Sequence, residues 1–378
     1  MKGGRPRVLV IDDEPDKQRG FELELRPYVA VDVVHPEEVG RSHLADADLV
    51  LIDFRLKEWQ ARDAQSSLAL QPATGLALAA VLRSHIRDRQ DHPPTAFALR
   101  SSYLADLSEP FPPEAREHLI ARVNNLEWAF PKQQPKTGPE LSRQITGLAR
   151  AVRRLPPSWP SDAPNKRQET VRELLAVPGK VAWTAKAWHD IEECHPPIHE
   201  LSKRSHGLAF LRWLLHRIMP YPCFLLDSYR LAARFRMSPR SLMRGFTRSR
   251  ALRKNMDRLR YKGVLADFLG PRWWRAGVDS WLWEFTDGKP FDAEEIHKAL
   301  ASVSGGSLER ASVPEPIICV DEKYLPLEAF SEADKAVRIQ PDDWPVYAEQ
   351  AWTTIELARE HSGLRAVVLS QDRDRLRK

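Results

Sequence analysis

Short apolar runs alternate with longer amphipathic stretches through the first 150 residues. "RVLVI" is apolar enough for a strand buried on both faces, and "PDKQRGFELELRPY" after it carries apolar residues at helical spacing. "VAVDVV" and "ADLVLIDF" repeat the strand pattern. A polar insertion then leads into "TGLALAAVLRSHIRD", which is helical in period. "TAFAL" reads as a fourth strand, "PPEAREHLIARVN" as a helix and "EWAF" as a short fifth strand. The alternation predicts a doubly wound α/β domain over residues 1–150, a five-stranded parallel sheet with helices on both faces.

Beyond this domain the period turns helical. "RRLPPSWPSDAPNKRQ" is rich in proline, serine and charge, and predicts an exposed linker over 151–168. Residues 169–288 form a mostly helical region. It includes "ETVRELLAV" and the strongly apolar "GLAFLRWLLHRIMPY", which suits either a core helix or the seam of a homodimer. "SVSGGSLERASVPEP" reads as a second flexible joint, "PIICV" as a strand, "WPVYAEQAWTTIELAREH" as a helix, "LRAVVL" as a strand and "SQDRDRLRK" as a frayed tail. Residues 289–378 are thus a small α+β part, and they carry no catalytic arrangement.

Charge sharpens the division. The net charge is +5, but residues 226–275 hold 14 Lys/Arg against 3 Asp/Glu, while residues 284–378 hold 12 against 19. A basic middle beside an acidic end predicts an anionic partner for the middle, or docking of the two segments on each other. With 42% hydrophobic and 29% charged residues, no apolar run of membrane length and no secretory signal, the expectation is a soluble cytoplasmic protein with no membrane partner. Three widely spaced cysteines fit a reducing compartment.

In a parallel sheet, chemistry gathers beyond the carboxyl ends of the strands. There the chain places Asp12 and Asp13 after the first strand, Asp53 after the third, Ser101 and Ser102 after the fourth and Lys132 after the fifth. Three carboxylates converging on one point make a hard oxygen site for Mg²⁺. A lysine beside them suits the transfer of phosphate onto a carboxylate. "VLVIDDEP", "ADLVLIDFRL" and "AFPK" resemble the signature segments of the response-regulator receiver domain, over residues 5–135. The resemblance implies a two-component regulator. Asp53 would be the phosphoacceptor, Asp12, Asp13 and Asp53 the Mg²⁺ site, Lys132 the conserved lysine and Ser101 the phosphate-sensing hydroxyl. It also implies a histidine kinase or phosphotransfer protein as donor, and no enzymatic activity beyond the domain's own phosphotransfer. The chain departs from that pattern in its long 57–74 segment, in Arg100 beside the hydroxyl position and in Gln133 after the lysine.

The basic middle holds "LDSYRLAARFRMSPRSLMRGFTRSR", patterned as two short helices around a turn. Leu231, Ala232, Phe235, Met237, Leu242 and Phe246 would face inward, and Ser238 before Pro239 would cap the second helix. Arg240, Ser241 and Arg244 would face outward, with Arg248 and Arg250 continuing the basic run. Residues 227–247 resemble the helix-turn-helix of the AraC-type regulators, which implies DNA as a partner. A helical hairpin that binds an acidic protein surface is the other reading, making the output a protein-interaction or effector module. The histidines around "WHDIEECHPPIHELSKRSH" match no zinc spacing and read as surface residues. The tryptophans of "GPRWWRAGVDSWLWEF" suit a small core or an interface.

Overall fold

A computed structural model of the chain describes residues 4–64, 72–87, 92–104, 107, 117–132, 138–159, 163–201, 207–306 and 308–377. It divides into two compact units. The first comprises Met1–Leu175, Pro197–His216 and Gly263–Leu269, and the second comprises the remaining residues.

The first unit is built on a five-stranded, all-parallel sheet in the order β2-β1-β3-β4-β5. Its strands are β1 (Arg7–Ile11), β2 (Ala30–Val34), β3 (Leu49–Asp53), β4 (Ala96–Ser101) and β5 (Trp128–Pro131). Each coincides with one of the five apolar runs. The central strands are buried on both faces, which is why they read as continuous apolar runs, whereas edge strand β2 alternates. Between the strands lie α1 (Arg19–Leu25), α2 (Arg41–Ala45), α3 (Gln60–Asp63), α4 (Gly75–Arg87) and α5 (Glu117–Val123). Leu9, Ile11, Val50, Ile52, Phe97 and Leu99 form one core cluster with Leu78, Ala79 and Ile86 of α4. The alternate residues Val8, Val10, Leu49 and Leu51 are equally buried on the opposite face. Part of the polar insertion and of the expected helix before Val123 lies outside the described residues.

The expected linker is exposed at Arg154, Pro157, Ser158 and 164–166, but parts of it belong to helices and to the core. α6 (Gly138–Arg154) runs through its first residues, and α7 (Pro164–Leu175) contains its last. Between them Leu155 and Trp159 are buried, with the Trp159 ring so close to Gly207 that a Cβ there would meet it at 2.8 Å. Proline and charge mark this stretch as a corner, but its one large aromatic ties it to the core. The apolar helix, α9 (Leu208–Trp213), is a core element of this unit: Phe210 and Leu211 are fully buried. It docks through Glu127, a wholly buried carboxylate that accepts from the Arg212 Nε at 2.6 Å and from the Phe97 N–H at 2.5 Å. Phe268 meets Trp128 edge to face at 4.9 Å between centroids.

The second unit contains α8 (Thr184–Glu193), α10 (Ser228–Arg234), α11 (Pro239–Arg248), α12 (Arg250–Leu259), α13 (Arg275–Phe285) and α14 (Ala293–Ser304). Trp273, Trp274 and Trp281 are core residues, and Trp274 stacks on Phe224 at 5.8 Å, while Trp283 is exposed. Strands β6 (Leu225–Leu226) and β7 (Trp273–Trp274) pair antiparallel, as do β8 (Ala336–Ile339) and β9 (Ala351–Thr354).

Five expectations for the C-terminal part are corrected. The first residues of the second joint belong to α14. "PIICV" makes only isolated bridges. The expected long helix is a turn followed by β9 and the short α15 (Ile355–Glu360), and most of "LRAVVL" lies in α16 (Ser362–Ala366) and the turn after it. The charged tail is not frayed. It closes as a 3-10 helix whose Asp372 is buried and receives both the backbone N–H and the guanidinium of Arg338, at 2.8–2.9 Å. The Arg338 hydrogen bond holds that carboxyl down at about 2. Local period misread these segments because long-range pairing, not amphipathicity, decides them.

Gly75 lets α4 start against the end of β3. Its N–H donates to the Phe54 carbonyl at 2.9 Å, and a Cβ there would lie 2.0 Å from the Asp53 carbonyl oxygen. Because the obstacle is backbone, Gly75→Ala should cost about 3 kcal/mol in urea unfolding, as overpacking does; a loss below about 1 kcal/mol would contradict this packing.

Candidate functional site

The carboxyl ends of β1, β3 and β5 bring the acidic residues and the lysine together. Asp12, Asp13 and Asp53 each present an oxygen within 4.8 Å of the others. Local turns fix the first two. Asp12 Oδ1 accepts from the Glu14 N–H at 3.0 Å, and Asp13 Oδ2 accepts from the Glu58 N–H at 2.7 Å. Lys132 is set by its own N–H donating to the Ser101 carbonyl at 2.9 Å. Its ammonium then donates to Asp12 Oδ2 and Asp53 Oδ2, both at 2.9 Å. One cation therefore offsets part of the repulsion among three carboxylates. Asp12 is almost wholly buried, whereas Asp13 and Asp53 are partly open. The donors are all carboxylate oxygens, which fits a hard divalent cation such as Mg²⁺.

Burial pushes the Asp53 carboxyl up, against the opposing pull of Lys132. The ionised carboxylate is therefore disfavoured by its burial, and a nearby cation stabilises it.

Ser101 is fully buried, and its Oγ accepts from the Tyr103 N–H at 3.0 Å, while Ser102 is exposed. The residue level with Asp53 on β4 is Arg100. Ser101 is one step further along, and its side chain leaves the strand on the other face. Arg100 lies over the Phe21 ring at 3.7 Å and donates to Gln18 Oε1 at 2.7 Å, while its buried Nε has no partner. Burial lowers its pKa, against the charges of Asp12 and Asp53. A second cation thus faces the acids. The guanidinium of Arg55 covers the Tyr103 ring at 3.3 Å, joining the segment after Asp53 to the one after Ser101. Sequence reasoning missed Gly75, Arg55 and Tyr103; only "TG" ahead of the helical run signalled the first.

In the second unit α10 and α11 are two short helices that meet at the turn around Met237. The Asp227 side chain accepts from the Arg230 N–H at 2.9 Å at the start of α10, and Ser238 caps α11. Leu231, Ala232, Phe235, Met237 and Leu242 are buried. Arg236 adopts a left-handed φ of +52°, held by its carbonyl accepting from the Ala311 N–H at 2.9 Å. Gly245 stands where an apolar side chain is expected, and Leu308 fills the space, 2.8 Å from where a Cβ would be.

The residues expected to meet bases divide into two groups. Ser241 Oγ accepts from the Glu309 N–H at 2.8 Å, and Arg240 pairs with Glu328. Both contacts are with the acidic C-terminal part: Arg240 stays exposed in a surface ion pair, and Ser241 is half-buried. Arg244, Arg248 and Arg250 are exposed, as are Arg253, Lys254, Arg258 and Lys262. Among the described residues no carboxylate pairs with any of these seven. His189, His195 and His199 are exposed, and His206 lies outside the described residues. Cys194, Cys223 and Cys319 are buried and form no disulfide.

No family model and no curated protein matches the chain. Among solved structures, one titled "Structure of two RcsB dimers bound to two parallel DNAs" is similar at 14% identity, covering 57% of this chain and 100% of that one with a TM-score of 0.25. Strand order and parallel pairing fit a receiver fold. No described helix is long and apolar enough to cross a membrane.

Asp53→Asn should stabilise the protein at neutral pH, measured by urea unfolding in EDTA. A raised folded pKa means that the folded state binds more protons than the unfolded one between the ordinary carboxylate value and the raised value. Wild-type stability therefore rises as pH falls through that window, and the advantage of Asp53→Asn should shrink there. An advantage independent of pH would refute the burial argument.

Proposed function

We propose that the chain is a signalling regulator. Its first unit accepts a phosphoryl group on Asp53, and its second unit carries the output. The observation that supports this reading most is the convergence of Asp12, Asp13 and Asp53 within 4.8 Å, with Lys132 bonded to Asp12 and Asp53. An Asp53 oxygen attacks the phosphorus of a phosphohistidine on a partner kinase or phosphotransfer protein. The P–N bond breaks, its electron pair returns to the imidazole and an acyl phosphate forms. Lys132 stabilises the oxygens of the group in transfer. Asp12 and Asp13 would hold Mg²⁺, which supplies charge neutralisation for those same oxygens. Once Asp53 is esterified, Lys132 loses one carboxylate partner and gains a phosphoryl one, and Arg100 and Ser101 border the change.

Incubation with Mg²⁺ and acetyl phosphate should give one phosphoryl adduct by intact mass. Asp53→Asn should remove it, and Asp12→Asn with Asp13→Asn should slow its formation at least about 100-fold, as losing the charge stabilisation of a transferring group does. No adduct from acetyl phosphate, phosphoramidate or a phosphorylated kinase domain would sink the reading.

For the output we propose DNA binding through the exposed arginines and lysines of α11 and α12. Six exposed cations on these helices, with Lys262 just beyond, have no carboxylate partner among the described residues and give the density that phosphate contacts need. A protein-interaction module is the second reading, favoured by the exposed Trp283 and Phe291 around a 530 Å³ groove. In mobility assays across salt concentrations, replacing Arg248 and Arg253 by alanine should each lower the slope of log affinity against log salt by about 1. Absence of DNA binding at low salt would reject the first reading in favour of the second.

A further inference from the structure

The amino ends of the strands, opposite the acidic site, carry a second constellation. Arg153 of α6 reaches Asp48, the residue before β3, and bonds its buried carboxylate at 2.9 Å. The arginines around it behave differently. Arg143, Arg150 and Arg154 stand on one face of α6, seven and four residues apart, and line a 370 Å³ cavity. Among the described residues no carboxylate pairs with any of the three. The far wall is the 263–267 backbone, in which Leu265 and Asp267 hold left-handed φ values of +61° and +66°. Neither is glycine, so packing must impose both conformations.

Two further features point to a ligand. Thr146 lines the cavity, is 4% exposed, and its buried Oγ1 has no hydrogen-bond partner. An unsatisfied buried hydroxyl is destabilising. Gly147 also lines the cavity, within a 17-residue helix where glycine is less favourable than alanine. A Cβ there would meet Phe268 at an ordinary 3.8 Å, so packing does not demand the glycine. What its absence of a side chain provides is room on the cavity side.

Arginine spacing defines the ligand's chemistry. Arg150 and Arg154 are one turn apart and can share one phosphate, whereas Arg143 lies about 10 Å along the axis from Arg150 and needs a second anionic group. Tyr28, half exposed at the rim, offers an aromatic face. The volume is that of a small-molecule site rather than of a polymer groove. We propose that this cavity binds a nucleotide carrying at least two phosphate groups, with the phosphates on the α6 arginines and the base against Tyr28. The site is independent of phosphorylation at Asp53.

The test is calorimetric titration of the full chain with ADP at low ionic strength in EDTA, which excludes binding through a cation at Asp12, Asp13 and Asp53. Saturable binding is expected, weakened at least tenfold by combined Arg150→Ala and Arg154→Ala and by Gly147→Leu. Combined Arg253→Ala and Lys254→Ala, on the basic face of the second unit, should leave it unchanged. Circular dichroism melts verify folding, and Gly147→Ala serves as the gentler variant because it should raise the melting temperature while weakening ADP. Pyrophosphate should bind more weakly than ADP, and adenosine weaker still. No ADP binding by the wild type, or equal affinity in the double arginine variant, would overturn the site. Pyrophosphate binding as tightly as ADP would overturn the nucleotide assignment.

Discussion

The carboxyl edge of the sheet depends on one ammonium group. Three carboxylates within 4.8 Å repel one another strongly in a half-buried site, and Lys132, bonded to two of them at 2.9 Å, is the group that makes their assembly tolerable. The rest of the first unit serves that geometry. β5 pairs with β4 so that Lys132 follows Pro131 into place, turns after β1 fix the two adjacent acids, and Gly75 admits α4 against the carbonyl of Asp53. Burial still pushes the Asp53 carboxyl up against the pull of Lys132. Added positive charge, such as a bound cation, would offset the remaining repulsion.

Charge is handled differently elsewhere in the chain. Glu127 and Asp48 are buried carboxylates that each accept from one backbone N–H and one arginine, and they fasten helices to the sheet. Asp372 does the same for the C-terminus. Against these satisfied pairs stand two sets of arginines without carboxylate partners, one along α11 and α12 and one on α6. Among the described residues, the arginines that fasten these elements pair with carboxylates, whereas those further along α11 and through α12 and on the cavity face of α6 are exposed without one.

The acidic C-terminal part answers the earlier choice between an external anion and internal docking with a division of labour. It takes Arg240, Ser241 and the backbone around Arg236, and it fills the space beside Gly245 with Leu308. The exposed face further along α11 and through α12 stays unclaimed. Any DNA reading through this unit therefore relies on phosphate contacts more than on base contacts from the start of α11.

From sequence alone the five strands, the acidic triad, Lys132 and the paired helices around "MSP" were legible, since each is set by local period or by its place at a strand end. Ser101 was legible as a position, but not its burial on the far face, nor Arg100 level with Asp53, because register is a property of two strands together. The linker, the second joint and the C-terminal segments were misread where single long-range contacts override local composition: Trp159 on Gly207, Asp372 on Arg338, β8 on β9. The α6 cavity was invisible for the same reason. Its arginines look like any solvated helical face until residues more than a hundred positions away supply the opposite wall. Local pattern determined which elements form in the sheet of the first unit; only tertiary packing decided the C-terminal elements and which charges are neutralised or left exposed.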